Sequence, residues 1–482
     1  MQTEGRKNNV IKAGLWYTVG NILVKGIAFL TLPLFTLLMD TEQYGTYNTF
    51  AAYVSILAVI VSLGLPSSVR NARYDLPDEE KQYHTNSTIL IVFAFAAFIA
   101  IALAFRNQLV DMLGLSVPLI VIIIINSTCT ALHSYYNNIL TIDFRYHRFL
   151  KLSFFYSVTS VLLSALLISF VFPNEAALGR ALGNLIPMVI IAGYVLVQVW
   201  RTGLIRLNKK HTQYGMRFGL PLIPNDLSSL LLAQFDRIMI FRSIGEAESG
   251  LYSFAYNVAV IYQVITNSIE SAWTPWMFSQ INEGNHKGIR DKVKIYVMIL
   301  TLGTVLMTLV SPEIIIILSS DSYWESQTVV VPIIFAMYFF AVASIPVGIE
   351  FFHKKTGLIS ACTFGTAICN IVLNIIFIPL YGYQAAAYTT LVSYFFYAVF
   401  HMVMASKLEP ISMLKMPVVH ISALCMLLVS GISLAALHRP AIRWGIEAIL
   451  FLGLLGVTIK YRVQLKQLIG NILNKRQTGD TR

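Results

Sequence analysis

The sequence predicts an all-α polytopic membrane protein with about fourteen transmembrane helices: two six-helix repeats around a central cavity, followed by two C-terminal helices. Its composition is the first reason. Of 482 residues, 56% are hydrophobic and 12% are Asp, Glu, Lys or Arg, whereas an ordinary soluble domain contains about 25% charged residues. The second reason is that about fourteen stretches reach the roughly 20 apolar residues that a helix needs to cross a bilayer.

These apolar stretches follow one another through most of the chain. The first, 13–37, is too long for the apolar core of a signal peptide and has no small-residue cleavage pattern after it, so we expect it to remain as the first helix. The predicted helices are 13–37, 47–67, 86–105, 115–137, 150–171, 179–200, 215–240, 250–277, 294–311, 328–351, 358–379, 384–404, 417–437 and 444–460.

Basic residues predict how the helices are oriented. Short loops rich in Lys and Arg stay on the cytoplasmic side of a membrane. If the N-terminus is inside, 28 of the 35 Lys and Arg residues fall in inner segments. We therefore expect both termini to lie in the cytoplasm, with an even number of spans between them. The formal charge of +11 is then an orientation signal that faces anionic lipid, and no nucleic-acid partner is expected.

Similar segments recur at a constant offset, as in transporters built from repeated units. The segment Glu42–Tyr47 resembles Glu248–Tyr252, and both are predicted to be outer turns. Gly45 and Gly250 in these segments are 205 positions apart. An offset of 206 relates Pro173 to Pro379 and relates Ser157, Ser160 and Ser164 to Thr363, Thr366 and Asn370.

The offset divides the chain into three parts. We predict an N-terminal lobe of six helices at 1–205, a C-terminal lobe of six helices at 206–408, and two additional helices with a basic tail at 409–482. Because six is even, both lobes would enter the membrane from the same side. Such parallel repeats are related by an axis along the membrane normal and suit rocking motions about a central cavity.

Motifs for enzyme chemistry are missing from the sequence. The four cysteines all lie in apolar runs, and the nine histidines form no HExxH or Cys/His cluster. There is also no phosphate-binding glycine loop of the G-x-x-x-x-G-K or G-x-G-x-x-G type. We therefore expect no catalytic residue, metal ion or cofactor.

Polar residues form stripes on several predicted helices. A polar group in hydrocarbon is costly unless it faces another helix or a wet cavity. For one Ser, Thr or Asn, hydrogen bonding between helices is the simpler explanation, so the prediction of a cavity depends on the whole set. The stripes contain Thr18, Asn21 and Lys25; Asn126, Thr130, His133 and Asn137; Ser153, Ser157, Ser160 and Ser164; Asn225, Ser229 and Asp236; Tyr252, Tyr256, Gln263 and Glu270; and Asn370 and Asn374.

Lys25 is the strongest single candidate for a functional residue. It lies near the middle of the first predicted helix, where a charge costs about 2.5 to 3.5 kcal/mol to insert. A buried partner or a wet cavity is therefore expected around it. A cationic cavity of this kind suits an anionic substrate such as phosphate or pyrophosphate. A lipid headgroup with attached sugars could enter it while the lipid tail stays in the bilayer.

The other charged candidates each have a simpler explanation beside the functional one. Asp236 and Arg237 can pair locally near the outer end of their helix. Glu270 and Glu350 can be solvated at the inner membrane interface. Arg73 is also explained by the excess of positive charge on the inner side. Asp226, in the inner half of the seventh predicted helix, is a candidate for binding and, like Glu270 and Glu350, for ion coupling.

A resemblance to a known family rests on seven segments: Asn21–Gly26, Pro33–Thr36, Tyr44–Tyr47, Pro221–Leu227, Asp236–Ile240, Gly250–Asn257 and Ile378–Ala386. In their order and spacing, these segments resemble the oligosaccharide flippases, the polysaccharide-transport branch of the multidrug/oligosaccharidyl-lipid/polysaccharide exporter superfamily. The resemblance covers most of 10–405.

The resemblance implies a bacterial or archaeal plasma-membrane protein that moves polyprenyl-diphosphate-linked oligosaccharide to the outer leaflet by alternating access. It implies basic cavity residues at Lys25, Arg73 and Arg237, beside the polar candidates Asn21, Asn225, Asp226, Gln263 and Glu270. Its expected partners are the lipid-linked oligosaccharide and membrane lipids. Other membrane proteins of polysaccharide assembly stay open as partners, as do the sugar unit, the coupling ion and the oligomeric state.

Two other functions compete with this prediction. A drug/cation antiporter of the same superfamily would favour carboxylates and aromatic rings around a cationic drug, and Lys25 argues against that cargo. A membrane-embedded polysaccharide polymerase or glycosyltransferase would need a sizeable outer loop with catalytic acids. The largest predicted outer gap, 312–327, contains only three acidic residues.

Overall fold

The computed structural model describes residues 23–460, together with Trp16 and Gly20, and this part contains helices and no β-strand. The all-α prediction is therefore confirmed. The helices are α1 Leu23–Leu38, α2 Thr41–Val61, α3 Leu65–Asp75, α4 Glu80–Ala104, α5 Arg106–Leu113, α6 Val117–Ile142, α7 Tyr146–Phe170, α8 Ala176–Trp200, α9 Lys209–Gly219, α10 Ile223–Ser243, α11 Glu246–Asn282, α12 His286–Leu318, α13 Gln327–Phe352, α14 Thr356–Tyr381, α15 Gln384–Leu408, α16 Pro417–Ala435 and α17 Pro440–Lys460.

The chain is a membrane protein. Within the described residues, ten helical segments are long and apolar enough to span a bilayer. The other four predicted spans coincide with α1, α10, α11 and α17 and do not meet that criterion. In α10 the reason is its polarity, because its 21 residues include Asp226, Asp236, Arg237 and Arg242. The exact number of fourteen spans stays a prediction.

The two predicted outer turns, Glu42–Tyr47 and Glu248–Tyr252, are wrong, because both segments are helical. α2 begins at Thr41, since the Asp40 side chain caps it by accepting a hydrogen bond from the Gln43 backbone N–H at 2.7 Å. A cap of this type satisfies one of the free N–H groups of the first turn. It starts the helix before the glycine that suggested a turn.

The predicted helix 215–240 is divided in the structure. α9 ends at Gly219, a 3-10 turn covers Leu220–Leu222, and α10 begins at Ile223. Pro221 and Pro224 cause the division, because proline has no N–H for the helical hydrogen-bond ladder and its ring clashes with the preceding turn. α9 packs against α3 and α4 of the first half of the chain.

The two halves meet through α2 and α11. We call the end of the bundle that holds the N-termini of both helices the outer end, in keeping with the predicted orientation. There Gly45 and Gly250 touch: a Cβ on Gly45 would lie 2.7 Å from the Gly250 N and 1.9 Å from the Glu246 carbonyl oxygen. A Cβ on Gly250 would lie 2.0 Å from the Thr41 carbonyl oxygen. The contact is reciprocal at the offset of 205.

Candidate substrate cavity

A cavity of about 320 Å³ lies between the two halves. α1 and α8 of the first half form one side of it, and α11 of the second half forms the other. We call it the interlobe cavity. Its lining residues are Lys25, Gly26, Ala28, Phe29, Leu32, Arg180, Asn257, Val260, Ile261, Val264 and Ile265. The wall is mainly apolar, with two cations and one amide.

Lys25 therefore lies on the cavity wall. No carboxylate of the described residues is within 4.0 Å of its ammonium group. Lys25 is exposed, and an accessible cation without an acidic partner among the described residues attracts an anion. Asn21, predicted one turn before Lys25, lies outside the described residues.

Arg180 is a second cavity cation, and it was missing from the sequence-based candidates because it lies at the outer end of its predicted helix. Its guanidinium carbon is 3.7 Å from the ring centroid of Phe35, 4.0 Å from that of Tyr47 and 5.4 Å from that of Tyr44. Aromatic faces attract such a cation without neutralising it. Within the described part of the chain, Arg180 has no acidic partner. In the sequence, Arg180 lies four positions before Asn184, a spacing that places both polar side chains on one face of a helix.

A second cavity, of about 190 Å³, lies within the first half and shares Arg180 with the interlobe cavity. It contains the predicted stripe of Ser157, Ser160 and Ser164 on α7. Opposite the serines, the Asn184 amide donates a hydrogen bond to the Tyr47 hydroxyl at 2.9 Å. The guanidinium is thus placed between an apolar chamber and a chamber rich in hydroxyl groups.

Arg237 lies behind the cavity wall. Only 6% of it is exposed, and its Nη2 donates to the Asn257 Oδ1 at 3.3 Å. The Asn257 amide in turn donates to the Tyr44 hydroxyl at 3.0 Å and to the Asn48 Oδ1 at 3.4 Å, both in the other half. Arg237 therefore orients an amide that lines the cavity and bridges the halves, instead of lining the cavity itself.

Asp236 is not ion-paired with its neighbour Arg237, so the local pairing considered for these two residues is absent. Its carboxylate accepts hydrogen bonds from the Tyr252 hydroxyl at 2.6 Å, the Asn374 amide at 2.6 Å and the Thr390 hydroxyl at 2.7 Å. The three donors come from α11, α14 and α15. A buried carboxylate is stable only when such donors replace water, so this cluster fixes four helices of the second half around one charge.

Two predicted site residues are engaged elsewhere and line neither cavity. The Arg73 guanidinium forms ion pairs with Glu80 at 3.1 Å and with Asp143 at 2.9 Å. The Glu350 carboxylate is fully buried and lies 2.9 Å from the Nδ1 of His401, itself fully buried. The interfacial solvation considered for Glu350 is therefore wrong, because its partner lies inside the protein.

The remaining candidates lie nearer the inner end and line neither cavity. Asn225 and Asp226 are half-buried at the start of α10, where the Asn225 amide is 3.4 Å from the Asp226 carboxylate. Gln263 and Glu270 follow the cavity residues along α11 and are also half-buried. No basic side chain in the described residues lies within 4.0 Å of the Glu270 carboxylate. Their roles stay predictions.

Hydrogen bonds tie the halves together at the outer end. The hydroxyl groups of Thr49 and Ser249 are 3.2 Å apart, and the Tyr323 hydroxyl reaches the Met39 and Asp40 carbonyl oxygens at 2.9 Å. In the described residues, the side-chain hydrogen bonds between α2 and α11 all lie in the N-terminal halves of the two helices.

Residues 10–282 match the model of a family described as polysaccharide biosynthesis protein. A relative named "Probable low-salt glycan biosynthesis flippase Agl15", from Haloferax volcanii, is 21% identical over 80% of both chains.

Solved structures match the fold. One is titled "Lipid II flippase MurJ, inward closed conformation", with 14% identity, 94% of this chain and 100% of that chain covered, and a TM-score of 0.70. Another is the inward-facing conformation of a multidrug resistance MATE family transporter of the MOP superfamily, with 15% identity, 84% and 99% coverage, and a TM-score of 0.61. The names and titles of these proteins are those of flippases and transporters, not of enzymes.

Proposed function

Because the chain belongs to the polysaccharide biosynthesis protein family, we propose that it is a flippase that moves polyprenyl-diphosphate-linked oligosaccharide across the plasma membrane for cell-surface polysaccharide synthesis. The relative named as a glycan biosynthesis flippase and the fold shared with a lipid II flippase support this class. Lipid-linked oligosaccharide and membrane lipids are its proposed partners, with both termini in the cytoplasm.

The observation that carries the proposal is the pair of cations without acidic partners, Lys25 and Arg180, on one cavity between the halves. Two positive charges in a mainly apolar chamber favour a ligand with two or more negative charges, and a diphosphate has them. The adjoining chamber offers serine hydroxyls and the Asn184 amide, which are suitable partners for sugar hydroxyl groups.

Alternating access is the proposed mechanism, with lobes at 1–205 and 206–408 and two additional helices at 409–482. Hydrogen bonds between α2 and α11 gather at the outer end, which supports assigning this arrangement to a state that receives substrate from the cytoplasmic side. Transport would require the contacts around Gly45 and Gly250 to separate while the inner ends approach each other.

Coupling is proposed in its simplest form, through the membrane potential. Outward movement of a diphosphate carries negative charge toward the positive side, and the potential contributes about 2.3 kcal/mol per charge per 100 mV. Exchange of a proton or sodium ion at Asp226, Glu270 or Glu350 is the alternative. Asp226 and Glu270 are the more suitable of the three, because they are half-buried, whereas Glu350 is paired with His401.

A drug/cation antiporter is the second candidate, since the fold also matches a multidrug transporter. Lys25 and Arg180 on the cavity wall disfavour a cationic cargo by direct repulsion. A polymerase or glycosyltransferase has no comparable support from any described site.

The proposal can be tested in liposomes that contain a fluorescent polyprenyl-diphosphate sugar. We expect Lys25→Ala and Arg180→Ala each to lower the initial transbilayer rate about 10- to 100-fold, since a charge-assisted hydrogen bond contributes about 1.5 to 3 kcal/mol. Lys294→Ala is the matched control, because Lys294 is a basic residue of α12 that pairs with Asp291 at 3.0 Å. The transbilayer rate of this variant should equal that of the wild type. Equal rates with and without protein would reject the flippase function.

A further inference from the structure

A larger cavity, of about 770 Å³, lies at the outer end between the second half and the last two helices. We propose that it is a binding site for the sugars of an oligosaccharide, and we call it the outer pocket. The natural ligand would be the glycan headgroup after it reaches the outer side. This identification of the ligand rests on the proposed function. The lining residues are Glu313, Ile316, Ile317, Trp324, Glu325, Gln327, Thr328, Leu437, His438, Pro440, Arg443 and Trp444.

Two exposed tryptophans line the outer pocket. Trp324 is 45% exposed and Trp444 is 55% exposed. An indole ring offers a flat apolar face, which suits a pyranose, whose axial C–H groups form an apolar face beside its hydroxyls. The Trp444 N–H donates to the Glu313 carboxylate at 3.1 Å, which holds its ring in place. Exposed tryptophans also occur in the aromatic belt at a membrane interface. A belt explains single rings facing lipid, but not two rings that share a concave cavity with carboxylate and amide groups.

The floor of the outer pocket contains buried polar atoms without partners. Arg443 is 1% exposed. It bonds to the Glu313 carboxylate and donates to the Ala436 carbonyl oxygen at 2.7 Å, but its Nε has no partner. The second carboxylate oxygen of Glu313 is likewise buried and has no partner among the described residues. An unsatisfied buried donor or acceptor is costly. Both atoms are enclosed in this arrangement, so a hydroxylated ligand would supply the missing acceptor and donor once the two side chains turn toward the pocket.

The rim adds polar groups that reach into the same space. The Glu325 carboxylate is exposed and accepts a hydrogen bond from the Tyr383 hydroxyl at 2.9 Å, which leaves its second oxygen available. Gln327, on the first turn of α13, contributes an amide with both donors and an acceptor. These are the group types that bind vicinal sugar hydroxyls in pairs.

The charge of the outer pocket distinguishes it from the interlobe cavity. Arg443 is neutralised by Glu313, so Glu325 leaves the remaining lining slightly acidic. A diphosphate is disfavoured there, whereas a neutral sugar or an amino sugar is not. The volume falls within the range of about 300 to 1,000 Å³ that is typical of small-molecule sites, enough for a short oligosaccharide. We therefore assign the outer pocket to the sugars and not to the phosphates.

Binding can be measured by tryptophan fluorescence with the full chain in nanodiscs made from phospholipids, because detergents with sugar headgroups would compete. The probes are maltotriose, a neutral trisaccharide, and chitosan trimer, an amino-sugar trisaccharide. We expect saturable binding of at least one probe. Trp324→Leu and Trp444→Leu should each weaken it about tenfold, equivalent to about 1.4 kcal/mol. Ile449→Ala, which changes an exposed residue of α17 outside the pocket, should leave it unchanged.

The two proposals can fail separately. Lys25→Ala should lower the flipping rate about 10- to 100-fold and leave trisaccharide binding intact, because Lys25 does not line the outer pocket. Binding without flipping in the wild type would reject the flippase function and keep the outer pocket. No saturable response to either probe, or equal affinity in the wild type and both tryptophan variants, would overturn the outer pocket. Isothermal titration of Trp324→Phe, which keeps an aromatic face, should show an affinity between those of the wild type and Trp324→Leu.

Discussion

Whether a charged residue belongs to the cavity depends on its partner more than on its depth in the membrane. Lys25 and Arg180 are free of carboxylates in the described structure, while Arg73 is held by Glu80 and Asp143. The sequence indicated Lys25 because a lone cation near the middle of a predicted membrane helix needs a buried partner or a wet cavity. The sequence could not show that Arg73 is ion-paired outside the cavity, because its partner Asp143 is 70 positions away along the chain.

The same limit applies to carboxylates. The sequence placed Tyr252 and Asn374 on sheltered polar stripes, and both are buried. The stripes converge on Asp236 because α10, α11 and α14 pack together around it. The spacing of residues within one helix does not encode that packing. Stripes therefore predict which face is sheltered, and tertiary structure decides whether the face surrounds a charge or a cavity.

Glu79 makes a prediction about pH outside the membrane-spanning helices. Hydrogen bonds from Lys210 at 2.7 Å and from His211 at 2.7 Å lower the pKa of this carboxyl below its usual value. A lowered pKa means that the contribution to stability is complete above the unfolded pKa of about 4.3 and is lost as the pH falls through the folded value. The protection factors of the α9 amides, which are exchange rates corrected for the intrinsic pH dependence of exchange, should therefore fall at acid pH.

The matched variant is Glu79→Gln. It keeps the size of the side chain and removes its titration, so exchange in α9 should already be faster at neutral pH and should lose this acid-dependent step. An unchanged pH profile in that variant would show that other groups, such as the Asp75 carboxylate bonded to Tyr214, control the contact.

At the scale of elements, two glycines determine how closely α2 and α11 approach. The sequence match between Gly45 and Gly250 revealed the repeat, but not that the two glycines touch each other. Helix limits were predictable to within several residues. The errors arose where a capping residue or a pair of prolines decided the boundary, as at Asp40 and at Pro221 and Pro224.

Gly45→Ala should push the two helices apart, because its Cβ would lie 1.9 Å from the Glu246 carbonyl oxygen and a backbone group has little freedom to move aside. Overpacking of this kind typically costs about 1 to 3 kcal/mol. We expect a lower melting temperature and faster thiol labelling of an added Thr49→Cys from the outer side. Both are measurable in purified protein.

Gly365→Ala is the control, because nothing lies within 4 Å of an added Cβ there. It should be neutral or should stabilise α14, since alanine favours a helix interior by about 1 kcal/mol. If Gly45→Ala behaved like Gly365→Ala in both assays, the close approach of the two helices would make no measurable contribution to stability.

At the scale of the whole molecule, alternating access requires the outer contacts to separate in each cycle. Thr49→Cys with Ser249→Cys replaces two hydroxyls that are 3.2 Å apart and should form a disulfide between the halves. In a background without the native cysteines, oxidation should abolish flipping and reduction should restore it. The native residues to be replaced are Cys129, Cys362, Cys369 and Cys425.

Each single cysteine variant serves as the control and should flip substrate equally well under both redox conditions. Full activity of the oxidised, cross-linked protein would contradict rocking of the halves at this end. The composition and the apolar runs predicted the all-α membrane class, which is confirmed. The inner side, predicted from the basic residues, stays a prediction. The contacts that join the halves could not be predicted, because they depend on how helices far apart in the chain pack together.

The junction of Gly45 with Gly250 consists of backbone atoms, hydroxyls, amides and one carboxylate, that of Glu246, which accepts a hydrogen bond from the Thr46 hydroxyl at 2.8 Å. In the described residues no cation faces an anion across it. Ion pairs at a surface weaken as salt rises, whereas close packing and hydrogen bonds to uncharged groups hardly respond. We therefore expect this contact to be nearly as strong in brine as in a dilute medium. A cell that uses the chain as the proposed flippase would not need to adjust it when the salt of the medium changes.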